Sequence, residues 1–228
     1  MLEQIVLPVT KLAEVTLYLK RDDLLHPIYG GNKVRKLKYN VLECKQQGKT
    51  GLLTCGGAYS NHILATAAYG KEQHLKTKAI IRGDELIADN PTLKDAAALG
   101  MEFVFVNREV YKAIREEPSK VYQLSNSNEL EYFFIPEGGT NALAVKGVAE
   151  LIGEIDIPFD YIATPCGTGA TCAGLLKGLK DRTERLLVFS ALKNGDYIIK
   201  AVKDLLKEEY NDHTLELFTS AYSFGGYA

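Results

Sequence analysis

An α/β protein built on a largely parallel sheet is what the sequence predicts, and two observations carry the prediction. Short β-branched or apolar runs alternate with longer stretches of helical period, the pattern of strand and helix taken in turn. The chain has 228 residues and a 46% hydrophobic content, enough to bury a sizeable core.

The strand candidates, in order, are Thr16 to Lys20, Gly51 to Cys55, Lys78 to Arg82, Glu102 to Val106, Tyr132 to Pro136, Tyr161 to Pro165, Leu186 to Ser190 and Thr214 to Phe218. Helices fill most of the gaps. Lys33 to Cys44 sets Val34, Leu37, Val41 and Cys44 on one stripe, and Leu143 to Ile155 does the same with Leu143, Val148, Leu151, Ile152 and Ile155. Asn90 before Pro91 reads as an N-cap followed by proline at the first helical position, and Gly100 closes that helix. From Arg108 to Glu131 the chain turns polar, with Ser125, Asn126, Ser127 and Asn128 in succession, and an irregular surface connection is expected there. The final Phe224-Gly225-Gly226-Tyr227-Ala228 is turn-like with no element after it, and reads as a chain that is cut short.

A formal net charge of -2 provides no field for a polyanion, so nucleic acid is not an expected partner. No apolar run approaches a membrane span, and the first ten residues lack a basic stretch followed by an apolar one; a soluble cytoplasmic protein is expected. The four cysteines, Cys44, Cys55, Cys166 and Cys172, form no C-x-x-C pair and lie in or beside core-like segments. They are expected to be buried free thiols, and no metal site is expected.

Three segments bear on chemistry. Gly30-Gly31-Asn32-Lys33 delivers a lysine to a helix start behind a flexible turn and a capping Asn. The positive helix end, with Arg35 and Lys36 nearby, favours a neutral amine at Lys33 that is able to form a Schiff base. Charge alone favours a solvated basic helix face, and the Gly-Gly-Asn lead narrows that preference without removing it. Gly56-Gly57-Ala58-Tyr59-Ser60-Asn61-His62 joins a strand to an Ala-rich helix. Ser60, Asn61 and the first-turn amides are able to bind a carboxylate, or Ser-Asn is simply an N-cap after a Gly-Gly turn. His62 alone reads as a packed or capping residue, and is grouped with Ser60 and Asn61 as a substrate contact.

Third, Cys166-Gly167-Thr168-Gly169-Ala170-Thr171 follows a strand and opens a helix, as a phosphate cradle does. It is not a P-loop, because Leu175 and Leu176 follow Gly174. It is not a full dinucleotide fingerprint either, because Cys172 stands at the third glycine position. A purely structural turn is the other reading. A reactive lysine, a carboxylate turn and a phosphate cradle together meet the needs of pyridoxal 5′-phosphate (PLP) and an amino-acid substrate.

Leu19-Lys20-Arg21-Asp22-Asp23-Leu24 and Gly30-Gly31-Asn32-Lys33-Val34-Arg35-Lys36-Leu37 open a run of ordered motifs. Gly56-Gly57-x-x-Ser60-Asn61-His62, Pro136-Glu137-Gly138-Gly139-Thr140-Asn141-Ala142 and the 167–171 loop complete it. The set resembles the 1-aminocyclopropane-1-carboxylate deaminase and D-cysteine desulfhydrase family, from about Leu7 to Ala228.

The resemblance implies a two-domain, open parallel-sheet PLP fold of the tryptophan synthase β type. Residues 1–36 and 135–228 would form the larger domain, incomplete at its carboxyl end, with a smaller α/β domain at 37–134. It makes Lys33 the Schiff-base lysine and proton carrier, Lys36 a lysine close to the cofactor, and Ser60 a catalytic residue that handles substrate. Asn61 meets the cofactor's phenolate oxygen, and Gly167, Thr168, Gly169, Ala170 and Thr171 hold its phosphate. Arg21, Asp22 and Asp23 are read as positioning the Lys33 turn. Tyr59 stands where the family has Gln. Family members continue past Ala228 with an active-site tyrosine and the partner of the pyridine nitrogen. The implied activity is PLP-dependent breakdown of a small amino acid to a 2-oxo acid and ammonia, by a homodimer. Two alternatives are a PLP-binding homologue without turnover and a nucleotide-dependent oxidoreductase using Gly167 to Gly174, which leaves Lys33 and Ser60 unexplained.

Overall fold

The computed structural model describes residues 1–83, 89–180, 182–207 and 214–219. An antiparallel pair, β1 (Leu2–Ile5) and β2 (Leu17–Lys20), flanks the short helix α1 (Pro8–Leu12), and a 3-10 turn (Asp22–Leu25) leads to α2 (Asn32–Gln46). Next come β3 (Gly51–Gly57), α3 (Asn61–Glu72), β4 (Lys76–Arg82), α4 (Pro91–Ala98), β5 (Met101–Val106), α5 (Arg108–Glu116), α6 (Lys120–Leu124) and β6 (Tyr132–Ile135). The four strands of this stretch form a parallel sheet in the order β5-β4-β3-β6. After α7 (Ala142–Gly153), the strands β7 (Tyr161–Cys166), β8 (Arg185–Ser190) and β9 (Leu215–Phe218) form a second parallel sheet in that order, with α8 (Ala170–Gly178) and α9 (Tyr197–Leu206) as crossovers.

All eight expected strands are present within two residues of their expected bounds. The unexpected strand is β1, which exists because β2 pairs with it. Asn90 caps α4 by accepting the Leu93 N–H at 3.0 Å, with Pro91 as the first helical residue. The segment Phe224 to Ala228 lies outside the described residues.

The polar stretch after Arg108 is not the irregular connection that its composition suggested. Strands β3 and β4 are apolar on both faces: Leu52, Ala79 and Ile81 face α2, α3 and α4, while Leu53, Cys55 and Ile80 point the other way. That second face needs a cover, and α5 and α6 supply it with Tyr111, Ile114 and Val121, all at most 3% exposed. Asn107 starts α5 by accepting the Val110 N–H at 2.9 Å. Each fully buried Leu or Ile in these layers contributes about 1.5–3 kcal/mol relative to exposure.

In the second sheet, Thr164, Cys166, Leu186 and Val188 are buried, and the apolar core continues into Val148 of α7, Leu175 of α8 and Ile198 of α9. On the other face Tyr161, Ala163 and Pro165 are exposed. Helix α7 joins the two sheets. It approaches α2 so closely that a Cβ on Gly147 would lie 2.1 Å from the Arg35 carbonyl oxygen. Asn141, the α7 N-cap, also donates to Asn40 of α2 at 2.6 Å. The domain boundaries expected at 36/37 and 134/135 fall inside α2 and β6.

All four cysteines are buried free thiols. Among the described residues no helix is long and apolar enough to cross a membrane.

Candidate active site

A cavity of about 890 Å³ opens where the carboxyl ends of the parallel strands meet. The β3 end brings Gly57 to His62, the β4 end Arg82 and Gly83, the β6 end Glu137 and Gly138, and the β7 end Gly167 and Thr168. Strand order in the first sheet reverses between β3 and β6, and an open parallel sheet places its ligand crevice at such a switch.

Lys33 is the second residue of α2, and its Nζ donates to the Gly138 carbonyl at 3.1 Å. One turn further on, the buried Lys36 donates to the same carbonyl at 3.2 Å. Two amines therefore converge on one acceptor, and among the described residues neither has a carboxylate partner. Burial first, and then the neighbouring Lys36 charge, pulls the Lys33 pKa down to about 7. Burial brings Lys36 down to about 8.

The sequence expectation of a neutral amine thus finds a different cause. Arg35 does not act on Lys33, because its guanidinium is spent on Asp22, at 2.5 and 3.0 Å, and on Glu154, at 2.7 Å. Lys20 adds bonds of 2.8 Å to both carboxylates. Burial alone would raise the Asp22 pKa, but the Arg35 and Lys20 hydrogen bonds outweigh it and hold it low. The Asp22 carbonyl also accepts the Gly31 N–H at 2.7 Å, so this residue fixes both the glycine turn and the first turn of α2. Asn32 is not the cap expected of it either. Gly31 occupies that position, and the Asn32 amide reaches Thr171 Oγ1 at 3.0 Å.

Ser60 is the N-cap of α3, its Oγ accepting the His62 N–H at 3.3 Å, and with the exposed Asn61 it lines the cavity. The His62 side chain is buried, at 1% exposure, with Nε2 placed 2.9 Å from Thr54 Oγ1 and Nδ1 without a partner among the described residues. Burial, reinforced by Lys33 and Lys36, drives its pKa well below the ordinary histidine value.

Across the cavity, Gly167, Thr168 and Thr171 line the wall at the start of α8. Thr168 Oγ1 accepts from Thr140 at 2.6 Å, and Tyr197 donates to the Gly167 carbonyl at 2.5 Å. Gly169 and Ala170 are buried behind this wall. Gly169 has φ +93°, and a Cβ there would lie 3.1 Å from Ala201 of α9. Free amides at a helix start, next to glycine and threonine, make an anion seat.

The fold and site define a pyridoxal-phosphate dependent enzyme, and the chain belongs to that family, whose pattern matches residues 5–203. More particularly, it is 34% identical over 225 residues to a Thermotoga maritima protein provisionally named 1-aminocyclopropane-1-carboxylate deaminase, covering 93% of this chain and 72% of that one. It is 32% identical over 212 residues to the mitochondrial bifunctional D-cysteine desulfhydrase/1-aminocyclopropane-1-carboxylate deaminase of Arabidopsis thaliana, covering 83% of this chain and 52% of that protein. A crystal structure of an ACC deaminase homologue superposes with a TM-score of 0.78 at 26% identity, over 100% of this chain and 72% of that one. The chain thus spans between about half and three quarters of the length of these relatives.

The cofactor is pyridoxal 5′-phosphate. The residues present fit it: two amines, the half-buried Lys33 and the buried Lys36, share one carbonyl with no carboxylate partner among the described residues, and a helix start lines the same cavity. Among the described residues the wall carries Lys33, Lys36 and Arg108, and its Glu137 carboxylate is bound to Arg115 at 2.7 Å. Such a wall suits a ligand that brings its own negative charge.

Sequence reasoning assigned no role to Gly138, Thr54 or Thr140. The Gly-Gly of the 136–142 motif, between a strand and an Asn-capped helix, was the available signal for the first.

Proposed function

We propose that this enzyme breaks down a small amino acid to a 2-oxo acid and ammonia, in the manner of a 1-aminocyclopropane-1-carboxylate deaminase or a D-cysteine desulfhydrase. The observation that carries the reading is the Lys33 amine, which shares the Gly138 carbonyl with Lys36 and lines one cavity with Gly167, Thr168 and Thr171 at the start of α8.

When bound, PLP supplies an electron sink for negative charge developing on the substrate. Lys33, whose pKa burial pulls down to about 7, would be the amine that holds the cofactor through its aldehyde, and its Nζ would hold or move a proton beside the substrate. Lys36, with the higher pKa, keeps a positive charge beside the cofactor. The 167–171 amides and the Thr168 and Thr171 hydroxyls take the phosphate, and Asn61 takes the phenolate oxygen. Ser60, with the α3 amides, takes the substrate carboxylate and stands ready as a nucleophile for a substrate that has no Cα hydrogen. His62 closes this end of the site. Family resemblance supports a larger domain of residues 1–36 and 135–228 around a smaller one of 37–134, and a cytoplasmic homodimer.

Borohydride reduction of the PLP-loaded chain followed by peptide mapping should place the pyridoxyl group on Lys33. Lys33→Ala should lose both the adduct and any release of 2-oxo acid from 1-aminocyclopropane-1-carboxylate or D-cysteine. An adduct on another lysine would overturn the assignment.

A further inference from the structure

Thr54, on β3, decides the protonation of His62. Its hydroxyl has a single proton, which goes to the Ile135 carbonyl of β6 at 2.7 Å. Toward His62 Nε2, 2.9 Å away, Thr54 Oγ1 is therefore an acceptor, and Nε2 must carry the ring proton. Thr54 is 0% and His62 1% exposed, so bulk water does not compete for either group. Nδ1 is left as a bare lone pair without a partner among the described residues. The ring edge bearing it faces Gly139, whose Cβ would lie 3.4 Å from Nδ1 and 3.6 Å from the Lys36 Cβ. Immediately before Gly139 stands the Gly138 carbonyl that receives both lysines. After burial itself, Lys33 is the strongest influence on the ring, ahead of Lys36.

That carbonyl is contested. Lys33 and Lys36 share it in this structure, and a Lys33 amine that turns away from it toward a cofactor or substrate would need another acceptor. We propose that Thr54 and His62 position Lys33: Thr54 locks the ring as an Nε2 donor, and Nδ1 accepts a hydrogen bond from the Lys33 amine when it is away from the Gly138 carbonyl. The ring stays neutral and no proton changes hands. Thr54 touches neither substrate nor cofactor; it acts through His62. The inference rests on Lys33 being the cofactor lysine.

Nitrogen-15 NMR of histidine-labelled chain, with and without PLP, reads the tautomer directly, and His62→Gln assigns the signal. The wild type and Thr54→Ser should show Nε2 protonated and Nδ1 bare, whereas Thr54→Val should shift the ring toward Nδ1–H. Borohydride trapping after mixing with PLP should find Lys33 captured about tenfold more slowly in Thr54→Val and within about twofold of wild type in Thr54→Ser, the loss of about one hydrogen bond. A wild-type ring protonated at Nδ1 or at both nitrogens overturns the relay, and so does a Thr54→Val chain that matches wild type in tautomer and in trapping. If Thr54→Val fails to fold, the wild-type and Thr54→Ser spectra still decide. Trapping at another lysine overturns the cofactor-lysine reading instead, and the Nε2–H signal distinguishes that failure from failure of the relay.

Discussion

The two parallel sheets are covered differently. Helices bury both faces of β3 and β4, whereas β7 is buried on one face and exposes Tyr161, Ala163 and Pro165 on the other. Lys33 and Lys36 sit beside the first sheet and the 167–171 loop starts from the second, so the cavity depends on a seam between unequal halves. The contacts that hold that seam include Gly147 against Arg35, Asn141 with Asn40, Lys38 with Glu150, and the Asp22–Arg35–Glu154 network. The difference teaches that the geometry of this site is set by the joint as much as by either sheet.

The largest expected effect comes from breaking the joint. Asp22→Ala leaves the buried Arg35 without one of its two partners and should cost about 4 kcal/mol in a urea melt. The same network makes the protein acid-sensitive. The Asp22 and Glu154 pKa values are depressed, Glu154 to about 2 chiefly by Arg35, so their stabilisation is complete above the unfolded carboxyl values near 4 and is lost as pH falls through the folded ones. Melts from pH 6 down to pH 2 should show the decline, and Asp22→Ala should flatten it.

A smaller effect sharpens the contrast between the sheets. Leu53, at 0% exposure under α5 and α6, should lose about 3 kcal/mol on change to Ala, whereas the half-buried Leu187 of β8 should lose about 1. Equal losses would mean that the second sheet is as fully covered as the first.

Smaller still in stability, but not in binding, is the loop. A Cβ on Gly167 would meet nothing within 4 Å, so Gly167→Val should weaken PLP binding about tenfold with little change in melting. Gly169→Val should lower both, because of its positive φ and its contact with Ala201. PLP titration beside thermal melts separates the two variants.

Much of the fold was legible because the strands are nearly continuous apolar runs bounded by turn residues. What escaped was α5 and α6. For α5 the local signals were present, an Asn107 N-cap and Tyr111 and Ile114 three residues apart on one face, but they stand among charged residues that read as a surface connection; the second apolar face of β3 and β4 is what they cover. At the site, Lys33 and Lys36 could be placed on one helix face from their spacing. The Gly138 carbonyl that collects both could not, because every residue has a carbonyl and only the fold selects one. For the same reason Arg35 looked like a charge acting on Lys33 until Asp22 and Glu154 stood around it.

The central claim is that the half-buried Lys33 amine titrates well below an ordinary lysine, at about pH 7. Competitive labelling with a trace amine reagent, mapped at the Lys33 peptide of the cofactor-free chain between pH 5 and pH 11, measures this directly, since only the neutral amine reacts. The account predicts a reactivity midpoint at about pH 7, below that of Lys36 at about 8. A midpoint near pH 10, that of an ordinary solvated lysine, would contradict it.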